Sequence, residues 1–197
     1  MSISTLPLFL LAVLLSCSAA SPFYWKKPCL SQPSLTCYFT PTAGHNVTGS
    51  VQFSPLFMRK ARSRNRCFVR ITAKLNNLSP GYHGFHIHTY GDIRSSDGKS
   101  TGGHFSNPSG IARQHALPGD WPRHWGDFGS LEAAGDGTAT YDRVDYIIKL
   151  RGIVGRGMIV HALEDKGKEA QPSGGAGSRQ ARCVIGIANP DYMANMS

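Results

Sequence analysis

Short runs of alternating or β-branched apolar residues recur from Leu35 to Ala188, separated by glycine-rich turns, with no sustained helical period among them. A chain patterned this way has no long amphipathic helix to bury, so its core must form between sheets. The clearest runs are Ser50–Ser54, Cys67–Leu75, Gly84–His88, Thr138–Tyr141, Tyr146–Leu150, Gly157–His161 and Cys183–Ala188. About eight such strands in one domain predict an all-β fold, an antiparallel sandwich or barrel. Two stretches interrupt the strands, Asp92–Ser130 and Ala162–Arg179. Both are too long for hairpin turns, and long loops in compact domains usually carry function.

The chain of 197 residues suits one domain with tails. Residues 1–20, MSISTLPLFLLAVLLSCSAA, hold no charge and an apolar run from Leu6 to Leu15, followed by Ser18-Ala19-Ala20. That run is too short to span a bilayer and reads as a signal peptide cut after Ala20, an uncleaved anchor being the alternative. Residues 21–34 then form a proline-containing extension, 35–188 the domain and 189–197 a tail. No later stretch is apolar enough to cross a membrane, so the expected product is secreted, extracellular and soluble.

Removing residues 1–20 leaves Cys29, Cys37, Cys67 and Cys183. In an oxidising compartment four cysteines favour two disulfides, with three connectivities open. The sequons at Asn46 and Asn77 agree with secretion, Pro80 making the second the poorer acceptor. The net charge of +9 favours anionic partners. Five of the eight residues Arg59–Arg66 are basic. They read as a solvated loop or, alternatively, as a tether to acidic polysaccharide, whereas nucleic acid is not an expected partner of a secreted chain.

Histidine placement points to chemistry. The segment HGFHIHTYGD, residues 83–92, holds three of the eight histidines. On a strand, His86 and His88 point the same way while Ile87 points into packing, which makes half of a metal site. His161 ends another apolar strand. The first long loop adds His104, His115, His124 and Asp127, the last two in a His-Trp-Gly-Asp turn. Imidazole and carboxylate without cysteine suit zinc or copper rather than calcium or magnesium. The spacing leaves open whether these residues hold one ion or two.

Five motifs in order resemble the Cu/Zn superoxide dismutases: HGFHIHTYGD, Gly102–Pro108 (GGHFSNP), His124–Gly129 (HWGDFG), Gly155–His161 (GRGMIVH), and Gly177–Arg179 with Val184–Ala188. The resemblance covers roughly Leu35 to Ala188. It implies an eight-stranded antiparallel Greek-key sandwich or barrel with two long functional loops. It implies copper held by His86, His88, His104 and His161, and zinc held by His104, His115, His124 and Asp127, with His104 shared. It further implies that copper cycles between two oxidation states to dismute superoxide to oxygen and hydrogen peroxide. Zinc, without redox chemistry, would orient His104. Asp165 matches the carboxylate that links ligands of both metals, and Arg179 the arginine that guides the anion. His83 is left as a structural hydrogen-bonding residue and His45 as an exposed one.

The sequence departs from the family at one tether. Members join the first long loop to the last strand by a disulfide, but residues 92–104 here hold no cysteine, and Arg182 stands at the usual position with Cys183 one residue later. One residue along a strand means the opposite face. The departure bears on the rigidity of the copper-side loop and on the family's homodimer, which is left open. In the family's fold the first and last strands are neighbours, so the resemblance implies Cys37–Cys183, with Cys29–Cys67 as the second bridge. A non-enzymatic extracellular metal-binding or matrix protein on the same fold is the alternative function. Loss of a copper ligand or of the arginine would favour it, and neither is lost.

Overall fold

The computed structural model describes residues 31–58, 66–106 and 114–193. Residues 1–20, read as a signal peptide, Cys29, residues 59–65 of the basic run and the last four residues lie outside them. The strands are β1 (Leu35–Pro41), β2 (Thr48–Met58), β3 (Arg66–Asn76), β4 (Gly81–Ile87), β5 (Asp127–Ala133), β6 (Ala139–Asp145), β7 (Gly157–His161), β8 (Arg179–Val184) and a two-residue β9 (Gly186–Ile187). They run in the order β2-β3-β6-β5-β4-β7-β8-β1, and β1 also pairs with β2, closing eight antiparallel strands into a barrel. The expected all-β, eight-stranded fold is the one formed. Among the described residues no helix is long and apolar enough to cross a membrane.

Alternation fills the barrel. Leu35, Cys37 and Phe39 of β1, Val51 and Phe53 of β2, and Ile71, Ala73 and Leu75 of β3 all point inward and are buried. Phe85 and Ile87 of β4 and Met158 and Val160 of β7 complete that core. Two of these strands differ from the rest, because β4 and β7 are buried on both faces. Their outward residues, His86, Ile159 and His161, lie beneath the two long loops. The barrel thus leaves a second, polar layer outside its wall, and the site is built there.

Two sequence expectations need correction. The run Tyr146–Leu150 is no strand. Asp145 Oδ1 accepts the backbone N–H groups of Ile147 at 2.8 Å and Ile148 at 2.9 Å, turning the chain out of the sheet towards the short helix α1 (Leu150–Ile153). Ile148, Leu150 and Ile153 are buried all the same, so the apolar spacing serves packing rather than pairing. Conversely, the stretch read as loop ends in structure: its last four residues, Asp127–Ser130, open strand β5. Gly129 (φ 72°) sits where the pairing of β5 with β4 shifts by one residue. This bulge sets Phe128 and Leu131 three residues apart, although both are buried, and so erases the period of two.

The disulfide Cys37–Cys183 joins β1 to β8 with a Cα–Cα distance of 5.7 Å, both residues being buried. Closing a loop with a sequence separation of 146 residues removes, on the chain-entropy account, about 5 kcal/mol of unfolded-state freedom. Cys67 is also disulfide-bonded.

Candidate metal centre

The two loops are laid onto the barrel wall by backbone hydrogen bonds. Phe105 N–H donates to the Ile87 carbonyl at 2.8 Å, and Ile87 N–H donates to that of Gly126 at 2.9 Å. These bonds stitch the first loop along β4 and bring His104 opposite His88. In the second loop, Leu163 N–H donates to Ala176 at 2.8 Å, and Gly84 N–H donates to Leu163 at 2.8 Å. Gly84 must lack a side chain, because a Cβ there would lie 2.6 Å from that of Ala176.

Among the described residues three groups of potential ligand atoms result, of which one, His86, His115 and Asp165, is already joined by hydrogen bonds through Asp165, and two are not closed in that way. His86, His88, His104 and His161 form one, and His104, His115, His124 and Asp127 the other, each with its atoms within 4.8 Å of one another. His104 belongs to both. Its Nδ1 lies 2.8 Å from Asp127 Oδ1 and 3.2 Å from His115 Nδ1, in the second group. Its Nε2 is buried and has no hydrogen-bond partner among the described residues.

The outer nitrogens are held by acceptors, which decides the tautomers. His86 Nε2–H donates to Asp165 Oδ2 at 2.8 Å and His115 Nε2–H donates to Asp165 Oδ1 at 2.6 Å. His88 Nδ1–H donates to the Gly102 carbonyl at 2.8 Å and His161 Nδ1–H to that of Gly177 at 3.2 Å. What remains on each ring is a lone pair aimed into its group. His86 Nδ1, like His104 Nε2, is buried without a hydrogen-bond partner among the described residues. Buried imidazole nitrogens left unpaired in this way fit a metal ion as their acceptor.

Electrostatics keep His88, His104 and His161 in the neutral, ligand form, while His115 is pulled the other way by its carboxylates. Burial, helped by neighbouring histidines and Arg179, holds His88 and His161 well below the usual histidine value. Burial and His86 lower His104 to about 4, against the pull of Asp127. For His115 burial also lowers the value, but its bonds to Asp127 and Asp165 outweigh it and raise it to about 9. Burial opposes ionisation of Asp127 and Asp165, yet their histidine partners win and hold both well below the usual carboxylate range.

The other residues singled out in the sequence take distinct places. His83 stands between the His161 carbonyl and the Ser79 carbonyl, 2.8 Å from each, and belongs to neither group. His45 is half-buried in the turn between β1 and β2 rather than exposed. Arg179 is half-buried at the start of β8; its Nη1 donates to the Gly98 carbonyl at 2.6 Å and its Nη2 to that of Gly102 at 2.7 Å. The Gly102 carbonyl therefore receives both Arg179 and His88.

Three supporting residues escaped the sequence reading. Buried Arg123 donates to the carbonyls of His124 at 3.1 Å and Asp127 at 2.7 Å, and pairs with Asp145, so it fixes both ends of the His-Trp-Gly-Asp turn. Ser130 Oγ accepts the Asp165 N–H at 2.9 Å. Gly174 (φ 73°) packs against the Asp165–His115 hydrogen bond. Only Arg123 left a trace in sequence, as a lone cation beside a cluster histidine.

The comparisons agree with this arrangement. The family model for copper/zinc superoxide dismutase matches residues 47–185. The chain is also similar to the Dictyostelium discoideum protein named extracellular Cu-Zn superoxide dismutase 3, being 36% identical over 162 residues. Those residues are 80% of this chain but 36% of that protein, so the chain spans well under half of the relative's length. Matched from β2 to the end of β8, with two ligand groups that meet at one histidine, the chain belongs to the copper/zinc superoxide dismutase family.

Proposed function

We propose that this chain dismutes superoxide, two superoxide anions and two protons giving oxygen and hydrogen peroxide. The observation that carries the reading is the pair of ligand groups sharing His104, one nitrogen in each. His86, His88, His104 and His161 would hold copper, and His104, His115, His124 and Asp127 zinc. Copper supplies a one-electron couple between two oxidation states, and zinc a fixed charge with no redox chemistry. The chain's residues do the remainder. Asp165 locks His86 and His115 in one tautomer each, coupling the two groups through a single buried carboxylate. Arg179, a permanent cation beside His88 and His161, attracts the anionic substrate. His104 Nε2 is the buried atom that can hold one of the protons peroxide requires.

Metal analysis and superoxide consumption on the purified chain test this together. The expected result is one copper and one zinc per chain with fast consumption, and an Arg179→Glu variant that keeps both metals but reacts at least about tenfold more slowly. Both metals bound with no consumption would replace the enzyme by a metal-binding protein. An undiminished rate in the variant would remove Arg179 from the mechanism.

Secretion belongs to the same proposal, supported by the extracellular name of the relative. Asn46 and Asn77 are both exposed, and Asn77 Nδ2 donates to the Asn46 carbonyl at 3.0 Å, so the two sequons stand side by side. The oxidised state of Cys67 supports Cys29–Cys67 as the second bridge. Mass mapping of unreduced peptides from the secreted chain should find Ser21 as the first residue, glycan at Asn46 and Cys29 joined to Cys67. Retention of residues 1–20, or a free Cys29, would refute the corresponding part.

A further inference from the structure

We propose that Arg182 is a positioning residue for Arg179 and His88, acting through the loop 92–102. Arg182 lies on β8, half-buried, three residues along from Arg179. Its Nε–H donates to the Ile93 carbonyl at 3.1 Å and its Nη1–H to the Pro41 carbonyl at 2.7 Å. One planar fork thus ties the entry of the loop to the end of β1, which a single point charge would do less firmly.

The order imposed at Ile93 continues through the loop. Ser100 Oγ–H donates to the Asp92 carbonyl at 2.6 Å, and the Ser95 and Ser100 hydroxyls bond at 3.1 Å. Ala43 N–H donates to the Ser96 carbonyl at 2.9 Å. At the far end the carbonyls of Gly98 and Gly102 receive Arg179, and Gly102 also receives His88 Nδ1–H. The two arginines of β8 therefore hold opposite ends of one loop. Residues 68–182 contain no cysteine, so no disulfide can fasten the loop. The neighbouring Cys183 is bonded to Cys37 and buried in the core, on the other side of β8.

This arrangement assigns Arg182 a role in the proposed reaction, and it rests on that reading only for the rate. Its consequence for the loop is read separately, by hydrogen exchange on the copper- and zinc-loaded full chain. In Arg182→Ala, amides of residues 95–102 should exchange roughly tenfold faster, the effect of losing charge-assisted hydrogen bonds, while β2 and β3 amides keep parent protection. Affinity for azide, a small anion followed by its effect on the copper spectrum, should fall at least about threefold as Arg179 and His88 lose their shared carbonyl. Arg182→Lys, which keeps charge and stem, should recover part of both, and it carries the test if the alanine variant does not fold.

Unchanged loop exchange, unchanged azide affinity, or loss of protection spread equally over β2 and β3 would each overturn the proposal. A parent chain that binds copper but consumes no superoxide, with a loop that still loosens in the variants, would sink the proposed activity and leave the tether standing.

Discussion

Replacing His104 by alanine is expected to strip both ions from their places, lowering copper and zinc retention together and superoxide consumption by at least about a hundredfold. The reason lies in the ring's two nitrogens: Nδ1 is 2.8 Å from Asp127 Oδ1, and Nε2 is buried on the other side without a hydrogen-bond partner among the described residues. His86→Ala is the control. Its open nitrogen belongs to only one group, so copper should suffer first and zinc should stay. Metal content by mass spectrometry of the two variants, purified side by side, decides it. A His104→Ala protein with full copper and zinc would show that the two groups do not depend on a shared ligand.

Gly174→Ala should cost nearly as much without touching a ligand. The added Cβ would lie 2.0 Å from Asp165 Oδ1 and 2.5 Å from His115 Nε2, at a backbone φ of 73° that side chains rarely adopt. The far ends of both groups are buried and hydrogen-bonded, so neither can swing aside. We expect the Asp165–His115 bond to break and stability to drop by about 2–4 kcal/mol. Weaker zinc binding should follow, because His115 loses the acceptor that fixes its tautomer. Thermal unfolding and zinc titration measure the two effects. A variant with parent melting temperature and parent zinc affinity would mean that the second loop can shift at no cost.

The sequence reading named the residues that the structure brings together in the two ligand groups but few of their supports, and the difference is physical. His86 and His88 are neighbours along one strand, and His124 and Asp127 share one turn, so covalent spacing alone brings each pair together. Arg182 and Ile93 meet only because β8 lies beside β1 and the loop folds back over both. Arg123 finds Asp145 across the start of β5, and Gly174 finds Asp165 through a loop that doubles on itself. Such meetings are made by tertiary approach and leave no period to read. The two misread strands share one cause. Alternation measures burial, and burial need not come from a sheet at Tyr146–Leu150, nor keep step across the bulge at Gly129.

The bond between Cys37 and Cys183 also decides how the domain answers a pull. Tension applied at residues 37 and 183 runs between them through two sulfur atoms rather than through the barrel they enclose. The ligand-bearing strands and both loops are therefore mechanically sheltered. Reduction would release the enclosed segment, roughly 500 Å of chain at full extension, and a folded body that had ignored the load would become the part that bears it.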